Sequence, residues 1–227
     1  MRWKLAVAAL ATSWGLIAVI VRKIDLDAQV LAFYRLAFAA ATLVLVAVAL
    51  RRLVLLRLTR HRGGVLLIGV TLAAHWFLYF VTIKLSSVAA LVLMTKRIVS
   101  DVPVLTLSFW NYAIAAVAIS PLLLDADRVL PTANELPAVL ALGVAFTALS
   151  GYVYIWSLRH VTAQTIGILA YIEPVSAALM AWAFLGESLD WQIVVGGALV
   201  IAAGATVVFL EPADAATPEV VPLGSRS

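Results

Sequence analysis

Apolar residues in this chain come in long runs, unlike the alternating or one-faced patterns of soluble strands and helices. Seven runs approach or reach the ~20 residues that a helix needs to cross a ~30 Å hydrocarbon core. They are Leu5–Val21, Gln29–Leu50, Gly64–Ile83, Val102–Leu124, Leu136–Leu158, Val161–Leu185 and Trp191–Leu210. Each predicts a membrane-spanning α-helix, because backbone groups in lipid must be satisfied within their own segment. An eighth run, Leu85–Thr95, has only eleven residues, enough for ~16 Å at the α-helical rise. It is too short to span unaided.

Basic residues decide whether the short run crosses. If it does, with the N-terminus in the cytoplasm, the inner side holds Arg2, Lys4, Arg51, Arg52, Arg57, Arg60, Arg62, Lys96, Arg97, Arg159 and Arg226. The outer side then holds only Arg22, Lys23, Lys84 and Arg128. If it does not, the eleven-to-four split becomes eight to seven, so the positive-inside bias favours crossing. Thinning of the bilayer, or snorkelling of Lys84 and Lys96, accommodates the short length. The first run, preceded by Arg2 and Lys4, has the look of a signal peptide, but its length and the following Arg22-Lys23 predict a retained span. Glu211–Ser227, with three prolines, is expected to be a disordered cytoplasmic tail.

Composition agrees with the runs. Hydrophobic residues make up 64% and charged residues 12%, about half the charge of a soluble domain. The net charge of +4 sits between apolar runs as topology markers, and predicts no nucleic-acid partner. Without cysteine there is no disulfide, thiolate metal site or redox pair. No cofactor and no metal is expected.

A shift of 75 residues aligns Tyr79 with Tyr154, Thr82 with Ser157, Lys84 with Arg159 and Ser87 with Thr162. In both copies an aromatic-rich span ends in a basic residue, and a hydroxyl opens the next. Lys84 falls outside and Arg159 inside, so the copies point in opposite directions. Inverted repeats are a recurring plan of secondary transporters, which hold substrate between the halves near the midplane. The first copy is shorter: it has no counterpart of Tyr171-Ile172-Glu173-Pro174.

Ser13-Trp14-Gly15 and Phe33-Tyr34-Arg35-Leu36 resemble the drug/metabolite transporter superfamily, and its EamA-type branch in particular. So does the stretch from Ala74-His75-Trp76 to Lys84-Leu85-Ser86-Ser87-Val88-Ala89-Ala90. The likeness is strongest over Gly151–Gly204, with Glu173-Pro174 and Phe184-Leu185-Gly186-Glu187. The resemblance implies ten helices in two inverted five-helix repeats around a central cavity that moves small metabolites, often amino acids. On that plan Val88–Leu93 matches the start of the fourth helix and Leu91–Arg97 the end of the sixth, with the material between them missing. The fourth and sixth helices run the same way, so their fusion keeps the downstream orientation. The expectation is an all-α integral membrane protein, a polytopic helical bundle with two inverted repeats and seven or eight transmembrane helices. Residues 1–97 form the incomplete amino-terminal repeat, 98–210 the carboxy-terminal repeat and 211–227 the tail.

Glu173 is the sharpest candidate for chemistry. Near the middle of its span an ionised carboxylate costs ~2.5–3.5 kcal/mol on insertion scales, so it needs water, a basic partner or a proton. Pro174 frees a carbonyl in the preceding turn, and Tyr171 belongs to the same motif. His75, Trp76 and Tyr79 share a helical face, where the imidazole can relay a proton and the rings can hold a cation. Trp14, mid-span in the first helix, completes the set of substrate-path candidates. Packing explains each of these residues as an alternative. Arg35, about five residues inside its boundary, is expected to snorkel outward. Asn111 is a candidate for interhelical glue, and the glycines of the last span for close packing or a dimer seam.

The expected function is secondary transport, as an exporter of amino acids or amphipathic compounds across the cytoplasmic membrane by alternating access. The expected partners are a small-molecule substrate, the lipid bilayer and, as an open question, a second copy. Both termini are expected in the cytoplasm. The alternative is a shortened remnant without independent transport, or one that depends on an oligomer. An enzyme would need paired catalytic groups at depth, and Glu173 and His75 are not paired by spacing.

Overall fold

The computed structural model of the chain describes residues 1–80 and 87–210, with the backbone alone over 77–80 and 87–91. Lys84, the side chains of Tyr79 and Ser87, and the tail 211–227 therefore lie outside the described residues. The described residues are helical, with no strand. In chain order the helices are α1 (Arg2–Val21), α2 (Ala28–Ala49), α3 (Arg62–Phe80), α4 (Ser87–Ile98) and α5 (Val104–Ile119), which continues as a 3₁₀ turn to Asp125. Then follow α6 (Leu136–Gly143), a π-helical segment (Val144–Leu149) and α7 (Ser150–Ser157), which together make one continuous rod. Helices α8 (Ala163–Ala170) and α9 (Ile172–Leu185) meet at Tyr171, and α10 (Trp191–Leu210) is last.

Among the described residues six helical stretches are long and apolar enough to cross a membrane: α1, α2, α5 with its 3₁₀ turn, α6–α7, α8–α9 and α10. The 19 residues of α3 add about 28 Å. The chain is a polytopic helical membrane protein. The short run is helical too, and α4 has 12 residues, about 18 Å. Gly64 at the start of α3 lies against Ile98 at the end of α4, so these two helix ends lie at the same end of the bundle.

Helix association in lipid rests on close packing of small residues, since lipid tails are as apolar as leucine. Helix α2 supplies such a seam in Ala32, Leu36, Ala39, Leu43 and Ala47, all buried, at three- and four-residue spacing. It meets Ala115, Ala116 and Ile119 of α5. On either side of this central pair stand two matching crossings. Gly69 of α3 lies on α5, where an added Cβ would sit 2.6 Å from the Ile114 Cβ and 3.4 Å from the Asn111 carbonyl. Gly143 of α6 lies on α2, where an added Cβ would sit 2.6 Å from the Phe38 Cβ and 3.3 Å from the Arg35 carbonyl. Gly69 and Gly143 differ by 74 positions, and Phe38 and Ile114, like Arg35 and Asn111, by 76. The two crossings thus follow the 75-residue repeat to within one residue, with the roles of α2 and α5 exchanged.

Each end of the bundle is tied by polar groups. At the end carrying the N-terminus, Lys96 donates to the carbonyls of Leu158 and, at 2.6 Å, Val161. Arg159 donates back to Val99 at 2.7 Å and Val102 at 2.8 Å. Each cation thereby serves carbonyls left open near the other's helix end. At the opposite end Arg128 donates to both carboxylate oxygens of Glu135, at 2.7 and 2.8 Å. Glu135 also accepts the Thr132 hydroxyl and N–H, each at 2.8 Å, and the Asp25 N–H at 2.9 Å. These bonds join the α1–α2 loop to the α5–α6 loop, and Arg22 at the end of α1 pairs with Glu187 just past the end of α9.

Candidate functional site

Arg35 organises the interior. It is the eighth residue of α2 and only 3% exposed, so it does not snorkel to the boundary as its position suggested. The small seam explains why: α2 is pulled tight against its neighbours, and the long side chain turns inward. Its guanidinium carbon stands 4.2 Å from the centre of the Trp76 ring, close enough for a cation–π contact. Its Nε donates to the Thr147 hydroxyl at 3.3 Å.

Thr147 lies in the π segment. Its hydroxyl donates to the Leu142 carbonyl, five residues back, at 2.8 Å, and its own carbonyl accepts the Tyr112 hydroxyl at 3.1 Å. One turn on, the Ser150 hydroxyl donates to the Phe146 carbonyl at 2.7 Å and accepts the Trp14 indole N–H at 3.1 Å. Isolated π turns within α-helices are frequent at functional sites. Here the segment receives polar side chains from α2 and α5, and Ser150 just after it receives one from α1.

Pro174 has no N–H for the Ala170 carbonyl, and the helix breaks at Tyr171, so Glu173 sits in the first turn of α9. Glu173 shares a face with Leu169 and Ser176, four and three residues away and both buried. The Ser176 hydroxyl bonds to the Glu173 carbonyl at 2.8 Å and to Ala11 of α1 at 3.3 Å, fixing α9 on α1. The Tyr154 ring lies 5.5 Å from Trp14. Trp14, Arg35, Trp76, Tyr112, Thr147, Ser150 and Tyr154 thus form a linked cluster drawn from α1, α2, α3, α5 and the α6–α7 rod.

The substrate-path candidates divide. Trp14 and Trp76 join this cluster, and Glu173 stands half-buried in the first turn of α9. His75 is half-buried, with its ring 5.7 Å from Trp76. Tyr171 is 65% exposed and Pro174 is exposed as well, so both flank the cluster and shape α9 from outside it. Of the remaining polar candidate, Asn111 is buried with its Oδ1 unpartnered among the described residues, as is the Ser108 hydroxyl one turn before it. Gly197 and Gly204 pack within the molecule, against Val175 and against Ile172 and Leu169. Thr147, Tyr112 and Ser150 were not among the candidates. A hydroxyl residue within an apolar run was the available signal, and the chain has many of those. Among the described residues no three His, Asp or Glu side chains gather as a metal would need.

Known proteins agree with this architecture. The fold is similar to a solved crystal structure with a TM-score of 0.75, at 17% identity, over 92% of this chain and 98% of the other. A probable terminal-alkyne amino-acid exporter of Streptantibioticus cattleyicolor is 31% identical over 137 residues, which are 55% of this chain and 46% of that protein. An uncharacterized transporter of Archaeoglobus fulgidus is 32% identical over 96 residues, 42% of this chain and 34% of that protein. The matches therefore span less than half the length of either relative. Residues 86–210, from the start of α4 to the end of α10, match the EamA-like transporter family over more than half of the sequence. With its helical bundle and its Glu173-Pro174 break in place, the chain belongs to the EamA-like transporter family.

Proposed function

We propose that this chain is a secondary transporter that moves small metabolites, amino acids or amphipathic compounds, out across the cytoplasmic membrane by alternating access. The observation that carries the reading is a charge kept inside the bundle: Arg35 of α2, only 3% exposed, is held there by the Trp76 ring and the Thr147 hydroxyl. Ionisable groups are kept inside spans where a substrate or proton path uses them. Trp14 and Trp76 wall the route, His75 extends it along α3, and Tyr171 with Pro174 holds the break that presents Glu173. The repeats are 1–97 and 98–210, followed by the tail, with both termini cytoplasmic. Glu173 carries the coupling proton.

A second reading is favoured by one feature. Only 17% of the most apolar stretch of α8–α9, and the same of α10, is buried, against 50% for α2. Helices so thinly covered suit a shortened chain that works only as an oligomer or does not transport. The experiment is a metabolite-tolerance screen in cells overexpressing the full chain, with Glu173→Gln as the control. Protection against at least one amino acid or amphipathic compound, lost in the variant, is the expected result. Identical tolerance with and without the chain across the whole set contradicts it.

A further inference from the structure

We propose that the α2–α3 loop is an interfacial anchor that binds the headgroups of anionic phospholipids in the leaflet it faces. Its occupant is the bilayer, and the claim stands apart from what the chain transports.

The loop begins and ends on sharp bends. Arg51 and His61 both sit at φ 54°, a left-handed conformation that residues other than glycine seldom adopt. Between them a 3₁₀ turn over Leu53–Leu56 is tied to α5. The Thr106 hydroxyl donates to the Leu55 carbonyl, and the Trp110 indole N–H donates to the Leu56 carbonyl at 2.8 Å. Thr106 and Trp110 are the third and seventh residues of α5, so the turn lies along the first ~9 Å of a membrane span. Headgroups give way to acyl chains at that level.

The two faces of the turn differ. Leu55 and Leu56 pack against the α2–α5 core, whereas Leu53 and Val54 are 55% and 74% exposed. An outward apolar pair at this level is covered by acyl chains. Arg51, Arg52, Arg57 and Arg60 beside it are all exposed, and none has an ion-pair partner among the described residues. Among those residues the acid at this end is Asp101, and His61 engages it at 2.9 Å. A topology marker needs only positive charge in water. Here four guanidiniums flank an apolar wedge docked at the boundary, which matches phosphate above and acyl chain below. Guanidinium forks take phosphate oxygens in pairs, and the net positive charge selects an anionic lipid over a zwitterionic one. A soluble anion gains nothing from Leu53 and Val54.

The test exploits the absence of cysteine: Val54→Cys gives the full chain, reconstituted in liposomes, one site for an environment-sensitive fluorophore. Brominated phosphatidylglycerol and brominated phosphatidylcholine are the quenchers. Half-quenching is expected at about a fivefold lower mole fraction of phosphatidylglycerol, the size of one basic residue's attraction to an anionic surface. Arg57→Gln combined with Arg60→Gln, or 1 M salt, should bring the two curves together. Lysine at both positions should keep most of the separation, and Lys23→Gln at the opposite end should leave it unchanged. Coincident curves without those changes, or an equal loss with Lys23→Gln, overturn the assignment. So does the absence of quenching by either lipid, which is the result that a soluble partner seated on this loop would give. Native mass spectrometry of the unlabelled chain provides a second reading. Retained phosphatidylglycerol that falls in the double glutamine variant supports the site, and equal retention removes it.

Discussion

A charged side chain inside a span survives when neighbours replace water, and the cluster around Arg35 does so with the Trp76 ring face and the Thr147 hydroxyl. Trp14 holds the far side through one indole hydrogen bond to Ser150. Trp14→Phe keeps a ring beside Tyr154 but removes that donor, costing about 1 kcal/mol. The melting temperature in detergent should fall by about 2–4 °C, and an unchanged value would show that the bond contributes nothing. Glu173 and Trp14 were legible because a carboxylate or an indole within an apolar run stands out. Arg35 was misread because distance from a boundary does not say which way a long side chain turns. That direction is set by the Ala32–Ala47 seam and by Thr147, more than a hundred positions away.

Helices cross where side chains are absent, and the two glycine crossings make this testable. Gly69→Ala or Gly143→Ala places a methyl group 2.6 Å from a facing Cβ. Each should destabilise the bundle by about 1–3 kcal/mol, the usual range for overpacking. Gly167, in α8, has nothing within 4 Å of an added Cβ, so Gly167→Ala should instead stabilise by about 0.5–1 kcal/mol through helix propensity. Thermal denaturation of the three variants in one detergent checks the contrast, and equal shifts would contradict the crossings. The elements themselves were readable from run length, and the turn at Tyr171 from Pro174. The π segment was not, because its extra residue depends on a hydroxyl reaching back five positions and on partners from other helices.

At the scale of the whole molecule, loops far apart in sequence close one end of the bundle. Arg128 holds the Glu135 carboxyl well below the usual carboxylate range, and bonds from Thr132 and Asp25 add to this. A carboxylate depressed in the fold stabilises it above the unfolded-state value of about 4.3, and that stabilisation is lost as pH falls through the lower folded value. Glu135→Gln should therefore melt earlier than wild type at pH 7, with the gap shrinking only below about pH 4. A gap independent of pH would mean that the carboxylate's charge is not what matters. The positive-inside count favours a crossing of the short run, since eleven of fifteen basic residues outside the spans fall on one side if it crosses. It held no information on which loops meet, because Asp25 and Glu135 find each other only once α1, α2 and α6 are packed. The central claim is that this closed bundle opens in turn to each side around Arg35 and Glu173. Flux of labelled leucine into liposomes containing the purified, monodisperse full chain tests it most directly. Saturable flux above protein-free liposomes, with a pH dependence abolished by Glu173→Gln, is the predicted result. Monodisperse protein that carries no leucine at any pH would contradict it.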